Sequence, residues 1–520
     1  MKSKNKVLAI GLDAAEPSLV EKWMVAGYLK NLAVLRSQGA YGRLSSSADW
    51  LVGSTWPTFY TGTPPGNHGF YHYLQWRSDK MDYDRPNPKW ISAKPFWREL
   101  GNSCKVIAVD IPLTFPPIPF NGIEISGWAA HDKIYPTSSF PKEKINWVIK
   151  NFGKPPISDE VGGLQEMSEL LKLKDELINS NKKEAELITS LIKGEEWDLF
   201  LCCFTSTHRG GHKFWTLPDI KHEITNVKGE FSESQKLQFK NSLRDIYQSC
   251  DEAIGEIMNS ISDDTTVLVF SLHGMDSNIN LSDKMLPQII SNILNGKRKS
   301  AANENKSIIK SIRNLIPLEL RSNVRKLLPY WLQDKMTAYW RMGKIDWSQT
   351  KVFSLVADLQ GYIRINLKGR EREGIVREGD EYDQLCTQIS EGLKTFKDAD
   401  TMESIVDSIS RKDKLFNKDR GFDDLPDLLV NWKPKPAASY RKIVSSEFGE
   451  LEWPMPGLNP DGRSGNHRPK GFLIAKGEGF DANSSIDDKH IIDLAPTILK
   501  HLNVPIPNWM SGTAINKETP

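Results

Sequence analysis

The chain has 520 residues, with 68 Lys or Arg against 66 Asp or Glu for a formal net charge of +2, and it is 39% apolar and 9% aromatic. That length excludes a peptide effector or a single small binding module, and the apolar content excludes general disorder. The near-neutral balance excludes a global field that recruits nucleic acid, and no nucleic-acid-binding module is expected.

The first apolar run, Val7 to Leu12, is too short for a signal-peptide core or a membrane span, and no later stretch reaches eighteen apolar residues. Five scattered cysteines (Cys104, Cys202, Cys203, Cys250, Cys386) have no CxxC spacing, which argues against a disulfide scaffold and a cysteine zinc site. The expectation is a cytoplasmic protein without a transmembrane span, with peripheral membrane association left open.

Short buried-type runs recur along the chain and end in polar residues. Val7–Leu12 ends at Asp13, 106–109 at Asp110, 197–204 at Thr-Ser-Thr-His208, and 267–270 at Ser-Leu-His273. Rich in bulky and β-branched residues without strict alternation, they fit strands covered on both faces of a parallel sheet. Helical patterns lie between them. One covers 19–35, with Ser18 and Glu21 at capping-box spacing, and another covers 234–259. The alternation predicts an α/β fold: a central, mostly parallel sheet flanked by helices, with its site beyond the carboxyl ends of the strands.

Two segments interrupt this core, which is expected over 1–139, 196–279 and 346–520. Residues 140–195 are Lys/Glu-rich and predicted as a helical lobe. Residues 280–345 are predicted as a basic helical insertion or lid, with twelve Lys/Arg against three acidic residues between Lys297 and Lys344. Its alternatives to a lid packed on the core are an interfacial helix touching anionic lipid, or a gate over an anionic substrate. Strand patterns return at 352–356, 361–366 and 427–432, with helices near 380–396 and 491–501.

The candidate chemistry is concentrated in few residues. His208 and His212 are four apart just after a strand, a spacing that puts two imidazoles on one helical face. His273 follows another strand, and His467 sits in Ser464-Gly-Asn-His-Arg-Pro-Lys-Gly471. Asp13 is a strand-terminal carboxylate that could instead cap the following helix. Thr55 lies in Ser-Thr-Trp-Pro, ahead of Thr-Gly-Thr-Pro-Pro-Gly-Asn-His-Gly69. Its hydroxyl is a nucleophile only if an ion or base activates it.

These ordered motifs, together with Asp346-Trp, Asn366-Leu-Lys-Gly-Arg and Gly465-Asn-His-Arg, resemble the alkaline phosphatase superfamily. The likeness is to its type I phosphodiesterase/nucleotide pyrophosphatase branch and related phosphohydrolase or phosphomutase proteins, over most of positions 6 to 512. The resemblance implies the alkaline-phosphatase-like fold and one or two divalent ions, commonly zinc. It places Asp13, Thr55 and His273 around one ion and His208, His212 and His467 around the other. It further implies that Thr55 attacks phosphorus, giving a phosphothreonine that water hydrolyses.

Two positions depart from that pattern. The family has aspartate where this chain has His208, and Asp-His-Gly where it has Leu272-His-Gly. Leu272 cannot bind a metal, and Asp276 is a candidate compensating ligand if its loop bends back. Three histidines at one position suit Zn²⁺, with Mn²⁺ or Fe²⁺ as alternatives. Asn67 and His68 are candidates for positioning the nucleophile, whereas Arg209 and Arg468 are candidates for pairing with phosphate or sulfate.

The leading expectation is a hydrolase of a phosphodiester, pyrophosphate or phosphomonoester, with a small phosphorylated or sulfated substrate. A phosphomutase, a sulfuryl or phosphoryl transferase, and a catalytically degenerate anion-binding scaffold are the alternatives. A sulfatase signature, Cys or Ser followed by Pro and Arg, is not present at Thr55-Trp-Pro.

Overall fold

The computed structural model describes residues 5–131, 133–157, 160, 162–215, 226–227, 231–296, 332, 335–336 and 345–515. Apart from three residues, the basic stretch 297–344 and its predicted membrane contact therefore lie outside the described residues. Among the described residues, no helix is long and apolar enough to cross a membrane.

In chain order the strands that build the fold are Val7–Leu12 (β1), Ala40–Ser45 (β2), Val106–Val109 (β3), Gly122–Ser126 (β4), Ser138–Phe140 (β5), Leu199–Phe204 (β6), Thr266–Ser271 (β7), Gly274–Ser277 (β8), Val352–Ser354 (β9), Gly361–Ile365 (β10), Val406–Arg411 (β11), Leu428–Trp432 (β12), Gly465–Arg468 (β13) and Gly471–Lys476 (β14). The helices used below are Pro17–Val25 (α1), Lys30–Gln38 (α2), Thr55–Thr61 (α3), Pro65–His68 (α4), Lys144–Phe152 (α5), Met167–Gly194 (α6), Ser206–Phe214 (α7), Glu233–Met258 (α8), Leu286–Asn295 (α9), Asp380–Lys394 (α10) and Leu494–His501 (α11).

The main sheet runs β2-β14-β7-β1-β6-β3-β4-β5, extended beyond β2 by short strands at 484–485 and 489–490. β7, β1, β6, β3 and β4 are mutually parallel, while β14 is antiparallel to both β7 and β2, and β5 is antiparallel to β4. This is the α/β architecture expected from the apolar runs. β1 shows why those runs lack alternation: Leu8, Ile10 and Leu12 face one buried cluster, and Val7 and Ala9 face another. Both faces are dry, so every position is apolar.

The helical layers differ from the sequence pattern at two places. The 19–35 segment forms two helices, because the Asp251 carboxylate on α8 accepts hydrogen bonds from the Asn31 and Leu32 amides at 3.0 and 2.8 Å and starts α2 afresh. The first helix is capped by Glu16, which accepts from the Ser18 amide at 3.1 Å with Pro17 in the first turn, and not by a Ser18–Glu21 box. Glu21 is engaged elsewhere, accepting from Arg43 Nη2 and the Tyr41 hydroxyl, both at 2.6 Å.

The segment set apart as a lobe at 140–195 contains α5 and the long α6. Leu170, Leu173, Leu177, Leu187, Ile188 and Leu191 of α6 are buried in the same cluster as Phe239, Ile246 and Ile254 of α8. At about 1.5–3 kcal/mol for each fully buried aliphatic side chain, this face is part of the main core. The start of the 280–345 segment likewise has a packed role. α9 buries Leu286, Ile289, Ile290 and Ile293 against an antiparallel sheet ordered β9-β10-β12-β11 and backed by α10. A two-stranded ribbon of β8 and β13 lies between the two sheets in the chain and pairs Met275 with His467 and Gly274 with Arg468.

Candidate metal centre and active site

The carboxyl ends of β1, β6 and β7 deliver Asp13, α7 and His273 to one place. α7 follows β6 after a single residue and carries His208 and His212 one turn apart, both buried. Each residue entering it is pinned. Thr205 Oγ1 donates to the Ala129 carbonyl at 2.9 Å, Ser206 Oγ donates to Asn181 Oδ1 of α6 at 2.6 Å, and Thr207 Oγ1 donates to the Asp13 carbonyl at 2.6 Å. Gly211 allows the helix to lie against β8, since a Cβ there would come within 2.8 Å of Met275 Cγ.

The ring nitrogens have assigned duties. His208 Nδ1 meets Asp13 Oδ2 at 2.6 Å, and His212 Nδ1 meets the Gly465 carbonyl at 2.9 Å. Both oxygens only accept, so each Nδ1 carries a proton, and in the neutral ring each Nε2 presents a lone pair. The two Nε2 atoms face one another at 3.0 Å. His467, from β13, lies with its ring centroid 4.8 Å from those of His208, His212 and His273. His273 Nε2 is 3.1 Å from His467 Nδ1, and His273 Nδ1 is buried without a hydrogen-bond partner.

Burial favours the neutral form of His212, His273 and His467. His212 and His467 are held well below the ordinary imidazole range, first by desolvation and then by neighbouring cationic groups. His273 is pushed down to about 4 by burial, against the opposing pull of Asp13. For Asp13 itself burial favours the neutral acid, but His208, His273 and the Trp56 indole together outweigh it and hold the carboxyl below its ordinary value. Trp56 Nε1 donates to Asp13 Oδ1 at 2.8 Å, so both carboxylate oxygens are engaged.

A fifth imidazole, His131, completes the cluster. Its ring centroid is 4.4 Å from that of His208, and one ligand atom from each of His131, His208 and His212 lies within 4.8 Å of the others. Asp110 builds the loop that carries it, accepting from the Trp128 and Ala129 amides at 2.8 and 2.7 Å, and the His131 amide donates to Thr205 Oγ1 at 3.0 Å. The sequence reading missed His131 because it did not recognise β4. The same strand-end reasoning applied to Gly122–Ser126 points to it.

Neutral buried imidazoles, facing lone pairs and an orphaned His273 Nδ1 form a donor set that fits a divalent transition metal. Asp13, in turn, orients His208 through its Nδ1 as a carboxylate does behind a metal-bound imidazole.

The other predicted residues are distributed around this centre. Thr55 is the first residue of α3, fully buried beside Trp56. His68 braces that helix: its Nδ1 accepts from the Phe70 amide at 3.0 Å, leaving Nε2 to donate to Thr58 Oγ1 at 3.2 Å. Asn67 lies in the same short α4, half-buried. Leu272 is buried in the apolar cluster with Trp56 and Phe270. Asp276, the candidate compensating ligand, accepts at Oδ2 from Arg468 Nε and Nη2 at 3.0 and 2.7 Å across the β8–β13 ribbon. Arg468 is thereby committed to Asp276, and Arg209 is buried within α7.

A charged rim absent from the sequence reading adjoins the cluster. Glu160 Oε2 lies 3.6 Å from His131 Nε2 and 3.5 Å from Arg463 Nη2, and its Oε1 is 4.0 Å from Lys213 Nζ. Arg463 also reaches Asp358 at 3.7 Å, and Asp358 lies 3.2 Å from His72 Nε2.

Comparison with known proteins gives this geometry a family. The family model described as type I phosphodiesterase / nucleotide pyrophosphatase matches residues 7–441, most of the chain. The match contains Asp13, Thr55, His208, His212 and His273 but ends before His467, which β13 brings back by pairing with β8. No curated protein sequence matches the chain. Two structures of phosphonoacetate hydrolase from Sinorhizobium meliloti 1021, in complex with phosphonoformate and with phosphonoacetate, are similar in fold. Each is 11% identical, with TM-scores of 0.52 and 0.51 and coverage of 96% of both chains. Human ectonucleotide pyrophosphatase/phosphodiesterase 5 aligns with a TM-score of 0.48 at 11% identity, covering 98% of this chain and 97% of that one. The chain belongs to the type I phosphodiesterase / nucleotide pyrophosphatase family of the alkaline phosphatase superfamily, and membership supports a hydrolase-like, metal-dependent phosphohydrolase function.

Proposed function

We propose that this type I phosphodiesterase-family protein hydrolyses a small phosphorylated substrate, a phosphodiester, pyrophosphate or phosphomonoester, through Thr55 as nucleophile. The observation that carries the reading is the convergence of His131, His208, His212, His273 and His467 with Asp13 beyond the carboxyl ends of β1, β6 and β7. His208 and His212, with His131 or His467, are the residues that would hold one ion, Zn²⁺ by donor type. Asp13, Thr55 and His273 would hold a second. A bound divalent ion supplies a lowered hydroxyl pKa and compensates charge on the phosphoryl oxygens.

The chain's own groups do the rest. Thr55 Oγ loses its proton to solvent and forms the bond to phosphorus as the leaving oxygen departs with its electron pair and takes up a proton; water then cleaves the phosphothreonine, its oxygen bonding to phosphorus and one proton returning to Thr55 Oγ. Asp13 keeps His208 in the tautomer whose Nε2 points inward, and His68 fixes α3 through Thr58. Lower negative charge among the ligand residues, with histidine at 208 and leucine at 272, makes the centre more attractive to an anion than one built on additional carboxylates. Thr55→Ala is the test. Turnover of an aryl phosphodiester or phosphomonoester should fall by at least about a hundredfold, with the ion held by His208 and His212 retained and circular dichroism unchanged. Equal rates for the variant and the parent would remove Thr55 from the reaction.

A further inference from the structure

Glu160 is placed beside the histidine cluster by a close junction of two loops. The Gly163 amide donates to the Asp461 carbonyl at 2.9 Å, and Gly462, at φ +73°, packs so tightly that a Cβ would sit 1.8 Å from the Gly163 carbonyl oxygen. The partner loop carries Arg463 and leads to His467. Lys213, next to the ligand residue His212, is buried and donates from Nζ to the Gly462 carbonyl at 3.1 Å. Three features of different origin, the His131 ring, the Arg463 guanidinium and the Lys213 ammonium, therefore converge on one carboxylate at 3.6, 3.5 and 4.0 Å.

Around this point Glu160, Asp358 and Asp461 face Arg209, Lys213 and Arg463. The Arg463 guanidinium and the Lys213 ammonium lie 3.5 and 4.0 Å from the Glu160 carboxylate and set its charge against theirs. Removing its carboxylate would leave Arg463, still 3.7 Å from Asp358, and Lys213 with less compensation, and the added positive charge beside the site would favour a second negative charge on the substrate.

We propose that Glu160 is a specificity-determining residue whose carboxylate sits beside His131 and against the cationic pair Arg463 and Lys213, and so selects singly charged phosphodiesters over doubly charged phosphomonoesters. The inference rests on the hydrolase reading above, and it names the substrate class of that same site. It is independent of the identity of the metal ligands, since Glu160 stands behind His131 and acts through its charge.

The experiment compares the metal-loaded parent with Glu160→Gln. Calorimetric titration with inorganic phosphate should show about tenfold tighter binding to the variant, the size of one partly screened charge. The ratio of kcat/KM for 4-nitrophenyl phosphate to that for bis(4-nitrophenyl) phosphate should rise about tenfold in the same direction, with metal content unchanged. Glu160→Asp, which keeps the charge, should stay near the parent in both measurements, and it serves as the second variant should Glu160→Gln fold poorly. Unchanged phosphate affinity and ester ratio in Glu160→Gln would overturn the proposal, as would loss of metal, which would make Glu160 a support for the ion. Absence of turnover for both esters in parent and variant would sink the hydrolase reading alone, because the phosphate titration still decides the role of Glu160.

Discussion

His208 Nε2 and His212 Nε2 point at each other across 3.0 Å, while the Nδ1 proton of each ring is already given to another acceptor, Asp13 and the Gly465 carbonyl. At that separation the two nitrogens need a cation, a proton or a metal ion, between or beside them. The relationship is therefore a demand for positive charge, built by a helix one turn long between ligands and enforced by Asp13 on one side and β13 on the other.

The first expectation is metal dependence of stability as well as activity. Protein purified without chelator should carry at least one divalent transition-metal ion per chain by elemental analysis. Stripping it should lower Tm, because an ion that binds only the folded state stabilises by mass action. His212→Ala and His131→Ala should each weaken that binding by at least about tenfold. Full affinity in His131→Ala would return the third ligand to His467, as family resemblance alone implies.

Asp13 acts on the centre through the His208 ring, and its removal should be felt there. Asp13→Asn keeps a carbonyl oxygen near His208 Nδ1 but discards the charge, so metal affinity should fall about 10- to 100-fold while the fold is retained. An unaltered titration would mean that tautomer control by Asp13 is dispensable.

Much of this centre was legible because its residues terminate recognisable strands. Asp13, His208, His212 and His273 come after runs so apolar that both faces must be buried, and strands of that kind gather their carboxyl-terminal residues at one edge of a parallel sheet. His131 comes after β4, whose Gly-Ile-Glu-Ile-Ser sequence mixes polar residues into a strand near the sheet margin and hides the signal. Glu160, Asp358 and Arg463 were not legible, since loops remote in sequence meet only after the Gly163–Gly462 junction has formed. The commitment of Asp276 to Arg468 was equally hidden: it depends on a register that sets residues 274–277 against 465–468.

A buried polar contact between helices should matter for the geometry of α7. Asn181 Oδ1 accepts from Ser206 Oγ at 2.6 Å, and its Nδ2 donates to Ser249 Oγ at 2.7 Å, tying α6, α7 and α8 together two residues before His208. Asn181→Leu should lower stability by about 1–3 kcal/mol, as buried hydroxyls lose their partners. If Asn181 positions the helix, the same change should also weaken metal binding by several-fold. Wild-type metal affinity in a destabilised variant would show that the contact serves stability alone.

Leu272 stands where the family has aspartate, yet it is packed among Trp56, Phe270 and other apolar side chains. Leu272→Asp should therefore lower Tm in metal-free protein, since a carboxylate there loses hydration without a partner. Saturating Zn²⁺ or Mn²⁺ should restore part of the loss if an ion sits within reach of that side chain, and calorimetry should then show an added or tighter site. A deficit that no divalent ion reduces would place Leu272 outside the metal centre and leave the His131, His208 and His212 group as its core.

Glu184 offers a pH test of the packing beneath α7. It is buried on α6, its Oε1 accepts from Ser180 Oγ at 2.6 Å, and burial together with nearby Asp110 raises its pKa well above the usual 4.5, Ser180 opposing only in part. A group whose folded pKa is raised contributes stability that is complete below the unfolded value near 4.5 and is lost as pH rises toward and through the folded value. Glu184→Gln retains an oxygen to accept from Ser180 but cannot ionise, so it should be spared that loss. The Tm of the variant relative to the parent should accordingly rise between pH 5 and pH 8, with the parent showing the steeper decline. A Tm difference that is constant over this interval would mean that Glu184 is equally protonated in the folded and unfolded chains, and that burial and Asp110 do not hold it in the neutral form.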